Sequence, residues 1–388
     1  MRGEVAPKGC RGYPGVFFLK EKKTTTIILK DMKKTLFSLL LLALLAVSCS
    51  PKPENPLQGV KYKQLRSLPE AKALTGEKQD LVPMGAYAIS VVDTFFVFRI
   101  GRQPEWLAVY GLKDQALKAK LITKGDGPDE LHGVRYDNQY RYVSDSVVMS
   151  LVGNSKKLVD MNLTRALDEG TATLENTLYL DGSYSSVFRR NDSVWVGKKI
   201  DFKQGGLSYP ELVASADGKL QPTGNCYAFY GPIPDFNPST YDKMNNYSAM
   251  EAIKPDGTRL VSAMVFANQL NIIDLQDSTQ SISLLYGDPV LLDKIEEDRK
   301  KKQEIAYYYG VSATDSLIYA LYVERPFLES EGEVFPEVRV FDWDGRAVAR
   351  YTLDVKDPEE IAVTPDGKTL YVLCPYRDEE AVYKYTLN

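Results

Sequence analysis

The apolar positions of this chain fall into short runs rather than helical stripes, and the runs recur. Six times a turn bearing an aspartate is followed by a strand-like run of β-branched, aromatic and aliphatic residues. These begin at Asp93 (DTFFVF), Asp145 (DSVVMS), Asp192 (DSVWV), Asp256 (DGTRLV), Asp315 (DSLIYA) and Asp366 (DGKTLYV), at intervals of 52, 47, 64, 59 and 51 residues. A second run ending in a new turn follows most of them, from Trp106 (WLAVYG), Lys157 (KLVDMN), Leu270 (LNIIDL), Val338 (VRVFDWDG) and Ala381 (AVYKY). Apolar runs bounded by Asp-Gly or Asp-Ser read as hairpins, because tight turns need a positive φ that Gly and Asp adopt at little cost.

Units of about fifty residues with three or four strands have the size of propeller blades. A blade has two apolar faces; arranging blades around an axis buries both, and closing the ring protects the exposed edges. The expectation is an all-β fold, a six-bladed β-propeller over residues 57–388. The last unit (Ile361 to Val363, Leu370 to Cys374, Val382 to Thr386) supplies three strands, and the alternating segment Val60 to Arg66 is expected to complete it. Two stacked β-sandwiches would also give many hairpins but would not require regular spacing.

Two insertions break the strand pattern. Pro289 to Tyr309 places apolar residues at Leu291, Leu292, Ile295 and Ile305 around a dense charged stretch, which predicts a solvated helix between the fourth and fifth blades. Phe229 to Met250 is aromatic, proline-rich and without period, and reads as a long loop ending in a short helix from Ser239. Long loops in compact domains are often functional. Tyr230, Phe236 and Tyr241 from the loop and Tyr308 from the other insertion are therefore the candidate ligand-binding residues, with lengthened connectors as the plain alternative.

The N-terminal region follows another logic. Residues 1–31 show neither periodicity nor a cap pattern and are read as a non-translated extension ahead of a true start at Met32, with a genuine cytosolic extension as the alternative. From there Lys33 and Lys34 precede an uncharged apolar run, Leu36 to Ala46, too short to span a bilayer comfortably. Ala46-Val47-Ser48-Cys49 and a proline-broken polar stretch, residues 50–56, follow. This arrangement resembles the lipobox of bacterial lipoproteins, with Ala46 where leucine is commonest. The resemblance implies a signal peptide over 32–48, cleavage before Cys49, lipid on its thiol and a lipidated linker over 49–56. More than one acyl chain gives lasting attachment. The membrane is then a partner through the lipid anchor, and the location is the cell envelope. Because Ser50 to Glu54 holds one acidic residue rather than an acidic cluster, the periplasmic face of the outer membrane is preferred over the cell surface.

Trimming changes the charge. Residues 1–48 hold nine of the 48 Lys/Arg and three of the 52 Asp/Glu, so the chain from Cys49 onward carries a net −10. An acidic protein without a basic stripe argues against nucleic acid as a partner. Cys226 and Cys374 remain besides the anchor; two small buried hydrophobes are the preferred reading over a disulfide.

The survey for chemistry is mostly negative. With His132 the only histidine, a triad would have to be built around it and His-rich zinc sites are excluded. His132 sits just after a Gly-Pro turn and reads as a turn residue. Gly125 and Gly127 lack the Gly-Lys-Ser/Thr of a phosphate loop and the third glycine of a dinucleotide fingerprint. With Pro128 they read as a sharp turn between blades whose free amides Glu130 caps. Asp342-Trp343-Asp344-Gly345 lacks the remaining ligands of a calcium loop and reads as a hairpin turn.

Lys124 to Leu131 (KGDGPDEL) resembles the Gly-x-Gly-Pro-x-Glu-aromatic segment of the TolB-like six-bladed propeller lipoproteins of Bacteroidetes, with Leu131 in place of the aromatic. Ala313 to Tyr322 and Val338 to Gly345 look similar to that family as well, and the likeness covers most of residues 57–388. It implies fold and envelope location rather than activity. Two function classes follow. The preferred one is a non-catalytic propeller that uses its axial mouth and inserted loops to hold a protein, peptide or glycan, with no cofactor. The alternative is a metal-dependent propeller hydrolase or lactonase, in which Asp, Glu and Asn from inner strands hold one cation such as Ca2+.

Overall fold

The computed structural model describes residues 61–81, 85–135, 139–153, 156–200, 210–216, 219–226, 248–287, 292–327, 336–375 and 381–387. Three short strands come first, β1 (Lys61–Leu65), β2 (Lys72–Leu74) and β3 (Glu77–Lys78). Six antiparallel meanders follow in chain order. The first is β4 (Ala86–Val92), β5 (Phe95–Ile100), β6 (Glu105–Gly111) and β7 (Leu117–Thr123). The second is β8 (Val134–Arg135), β9 (Tyr140–Val143), β10 (Ser146–Gly153), β11 (Lys157–Asn162) and, after helix α1 (Leu163–Glu169), β12 (Leu174–Leu180). The third is β13 (Ser183–Arg189), β14 (Val194–Ile200), β15 (Pro210–Ala216) and β16 (Lys219–Cys226), and the fourth β17 (Ala249–Ile253), β18 (Arg259–Met264), β19 (Gln269–Asp274) and β20 (Ile282–Tyr286). Helix α2 (Leu292–Lys300) precedes the fifth, β21 (Ile305–Ala313), β22 (Leu317–Pro326), β23 (Glu337–Asp342) and β24 (Ala347–Leu353). The sixth is β25 (Glu360–Val363), β26 (Thr369–Cys374) and β27 (Ala381–Thr386).

Each repeat aspartate falls in the turn between the first two long strands of its meander. The side chain closes the turn where it can reach a following amide: Asp256 Oδ1 accepts from Thr258 N at 2.9 Å and Asp366 Oδ1 from Lys368 N at 3.1 Å. The next residue in both turns is a glycine at φ 70°, a conformation that a side chain would strain. In the third meander the neighbouring Asn191 does this work, accepting from Ser193 N and Val194 N.

Hydrogen bonding joins these strands into five sheets, not six separate ones, which corrects the expectation of independent blades. The second and third meanders merge into one nine-stranded sheet through a parallel contact of two residue pairs, Tyr179 with Lys219 and Leu180 with Leu220. The cause is the tight connection at Asp181 and Gly182, which turns the chain from β12 straight into β13 and leaves β12 beside β16.

The closing strand is also different from the one expected. Lys61 to Leu65 lies parallel to β20 and does not touch the last meander's edge; β2 lies parallel to β24, and β27 is instead covered by the two residues of β3. The N-terminal segment thus crosses the outer edges of the fourth, fifth and sixth meanders in turn. Side chains fix the β1 position: Lys63 Nζ reaches Gly345 O at 3.0 Å and Gln64 Nε2 reaches Gly287 O at 2.7 Å. Alternation tells which face of a strand is buried, not which edge it joins.

The core sits between meanders. Leu107 and Val109 of the first pack with Met149, Leu151 and Val159 of the second, and Phe98 of the first packs with Leu373 and Val382 of the sixth. Phe96 and Tyr371 meet edge to face across that seam, at 4.7 Å between centroids. Apolar clusters likewise join the second to the third, the fourth to the fifth and the fifth to the sixth. Each fully buried aliphatic or aromatic side chain contributes roughly 1.5–3 kcal/mol. The third and fourth meanders are bridged differently. Glu251 of β17 accepts from Ser186 Oγ at 2.6 Å and from Lys198 Nζ at 3.3 Å, and both members of the ion pair are buried.

Helix α2 presses Ile295 onto Phe266 and Ala306, and exposed i,i+4 pairs such as Lys294 with Asp298 cover its outer face. Tyr308, expected among the ligand-facing residues, is 3% exposed in the core and meets Tyr322 edge to face. The strand β21 begins at Ile305, and its alternation turns that ring inward. No helix among the described residues is long and apolar enough to cross a membrane.

Candidate functional site

The innermost strands of all six meanders border one cavity of about 500 Å³. Val91 comes from β4, Tyr140 to Tyr142 from β9, Arg189 from β13, Ala252 and Ile253 from β17, Ser312 and Ala313 from β21, and Val363 from β25. The aspartate turns stand at the same end, and Asp192 and Asp315 line the mouth. The volume lies in the range of ordinary small-ligand sites, about 300–1,000 Å³.

The walls differ. On the side of β9 and β13, Arg141 and Arg189 are anchored on one buried carboxylate, Asp160 of β11, whose side chain is 6% exposed. Arg141 Nη2 lies 2.8 Å from Asp160 Oδ2, and Arg189 Nη1 lies 3.4 Å from the same oxygen. Ser150 Oγ and Asn176 Nδ2 supply further hydrogen bonds at 2.9 and 3.1 Å. Burial pushes the Asp160 carboxyl up, but the bonds and charge of Arg141, with help from Asn176 and Arg189, outweigh it and hold the group below its ordinary range. Arg189 also donates through Nη2 to Asp192 at 3.0 Å, where the acid is 95% exposed. Gln139 stiffens this wall, accepting from Arg189 N at 2.5 Å and donating to Val187 O at 3.2 Å.

On the opposite side, β17, β21 and β25 and their turns offer Ala252, Ile253, Pro255, Ala313, Val363 and Pro365, together with the polar Ser312, Thr314 and Asp315. Tyr142 stands at the mouth, 61% exposed, and donates to Asp93 Oδ1 at 2.7 Å; that bond, reinforced by burial, pushes its hydroxyl up to about 12. Tyr140 meets Tyr142 edge to face at 6.0 Å.

Among the sequence candidates, Cys49, Tyr230, Phe236 and Tyr241 lie outside the described residues, as do the lipobox and linker. Gly125, Gly127, Pro128 and Glu130 form the connection from β7 to β8, away from the cavity lining. Glu130 Oε2 accepts from Gly127 N at 2.8 Å, and a Cβ on Gly125 would fall inside that carboxylate. The motif is therefore a turn whose glycines admit a folded-back glutamate. His132 pairs with Asp126 on the surface. Cys374 is buried beside Tyr385, and the Cys226 side chain lies outside the described set. Among the described residues no group of three His, Cys, Asp or Glu is placed to hold a metal ion.

Sequence reading missed Arg141, Arg189 and Asp160. A signal was present: Asp160 interrupts the apolar run of β11, and a charge inside such a run needs a buried partner.

A closed succession of antiparallel meanders whose innermost strands share one cavity defines a β-propeller. Over residues 229–364 the chain matches the family model described as TolB-like 6-blade propeller-like. That span includes Ala313 to Tyr322 and Val338 to Gly345 but not Lys124 to Leu131. Among solved structures, a member of the DUF4221 family from Bacteroides vulgatus is 13% identical and aligns over 86% of this chain and 95% of its own, with a TM-score of 0.52. The Swd1 (Cps50) β-propeller domain of Myceliophteria thermophila is 10% identical, covering 81% of this chain and 100% of its own, with a TM-score of 0.41. The first likeness is one of fold. No curated protein matches the chain.

Proposed function

We propose that this protein is a six-bladed propeller, lipid-anchored through Cys49 outside the cytoplasm, that serves as a binding or scaffold module. The observation that carries the reading is the single cavity bordered by an inner strand from each of six meanders. Six meanders count as six blades, two of them sharing a sheet. Tight connections at one end of the axis and a cavity with one charged and one mainly apolar wall suit recognition of a protein, peptide or glycan. The lipobox supports a place in the cell envelope, and the single acidic residue in Ser50 to Glu54 favours the periplasmic face of the outer membrane over the cell surface.

Two measurements test this. Cys49→Ala should abolish incorporation of labelled palmitate and release the chain from the membrane fraction; unchanged partitioning would remove the anchor. Hydrogen exchange of the full chain, with and without envelope extract, should slow in the hairpins around Asp145, Asp192 and Asp315. Protection elsewhere alone would move the site away from the axis.

A further inference from the structure

The axial cavity separates charge from apolar surface, and the separation specifies a ligand. We propose that it binds a monocarboxylate with an apolar body, its carboxylate on Arg141 and Arg189 and its body on the wall of Ala252, Ile253, Ala313 and Val363. This deepens the binding-module reading and rests on it.

Two guanidiniums share the one buried carboxylate of Asp160, so those three groups by themselves carry one positive charge in excess at the cavity wall. Its compensation comes from Asp192, which is 95% exposed and bonded to Arg189 by one hydrogen bond of 3.0 Å. With its acid in water the pair contributes little, and Asp192 is readily exchanged for another carboxylate while Arg189, 16% exposed, stays in place. A ligand carboxylate entering the cavity can take the Asp192 position on Arg189 and reach Arg141 beside it. Asp160 meanwhile keeps both guanidiniums in place with Ser150 and Asn176. Charge-assisted bonds to guanidinium in a partly enclosed site are the strong kind.

The remaining surface selects against other anions. Opposite the arginines Ala252, Ile253, Pro255, Ala313, Val363 and Pro365 give an apolar surface for a ligand body, with Ser312, Thr314 and Asp315 set among them. At the mouth Asp192 and Asp315 repel a second negative charge that would project outward. Each further negative charge adds to that repulsion, so a polyanion meets more of it than a monoanion with a hydrophobic tail. Acidic peptides and uronates are the competing occupants.

The test is calorimetric titration of the full chain with 4-phenylbutyrate, its uncharged amide, citrate, glucuronate and a tri-glutamate peptide. Phenylbutyrate should bind with a 1:1 ratio, at least about tenfold tighter than the amide, which lacks the charge-assisted bonds. It should also bind more tightly than citrate, glucuronate or the peptide. Arg189→Gln should weaken it by about tenfold or more, and Asp192→Asn should tighten it by removing the competitor. Asn191 rather than Asp192 closes that turn, so the second variant keeps the hairpin and decides the matter if the first fails to fold. Equal binding of acid and amide, preference for any of the other probes, or unaltered affinity in Asp192→Asn would overturn the proposal. Membrane fractionation and the melting curve are read separately, so a lost ligand does not count against the anchored propeller.

Discussion

Tyr385 donates its hydroxyl to Asp354 Oδ1 at 2.8 Å, and the same oxygen accepts the Gly76 amide at 3.0 Å. Three distant parts of the chain meet there: the last strand, the end of the fifth meander and the N-terminal segment. A Cβ on Gly76 would come within 2.6 Å of Tyr385 Cζ, so only glycine lets the segment pass over the ring. Gly76→Ala should therefore cost about 1–3 kcal/mol, the usual range for overpacking. Tyr385→Phe keeps the ring and loses one bond, about 1 kcal/mol. Urea melts of the two variants check the order; an Ala variant as stable as the parent would mean the segment is not held at this crossing.

Truncation separates the edge strands. Deleting residues 50–68 removes β1 and frees the β20 edge but leaves β3 on β27, so the ring should stay closed with a modest fall in melting temperature. Deleting residues 50–79 removes all three strands and should bring a larger fall together with aggregation, because the β27 edge is then unpaired. Equal melting curves for the two truncations would show that Glu77 and Lys78 close nothing.

Glu251 is the acceptor for Lys198, Ser186 and Ser262, and it bridges the third and fourth meanders. Glu251→Ala leaves a buried ammonium and two hydroxyls without that acceptor and should cost about 3–5 kcal/mol. The double variant Lys198→Met, Glu251→Leu should recover much of the loss, since it removes both charges. A double-mutant cycle measured by urea denaturation gives the coupling directly.

Acid should weaken the wall formed by β9 and β13. Burial raises the Asp160 carboxyl, and Arg141 and its other partners lower it by more, so the folded value lies below the ordinary 3.8. Its contribution to stability is then complete above about 3.8 and is lost as pH falls through the lower folded value. Denaturation curves across that window should slope less in Asp160→Asn than in the parent, and parallel slopes would mean Asp160 is not the titrating group.

Much of the fold was legible because turns obey local rules. Asp93, Asp256 and Asp366 mark hairpins through positive φ at Asp93 itself and at the glycines following the other two, and that requirement is written in the dipeptide. Pairing between distant edges is not local, which is why β1 was expected on β27 and lies on β20. The merging of two meanders was hidden for the same reason, since Leu180 and Leu220 carry no mark of each other. At the cavity, aromatic loop residues drew attention while the arginines did not. Arg141 and Arg189 sit in strands of mixed polarity and become significant only through Asp160, a residue many positions away from either.

The N-terminal segment also has a mechanical meaning. A pull arriving at residue 61 is met first by β1 on β20, then by β2 on β24, and last by β3 on the closing strand β27. These attachments stand in series, so the two earlier ones act as sacrificial links. Tension from a tether would have to strip both before it loaded the seam, and the ring would keep its shape while the first of them yielded and re-formed.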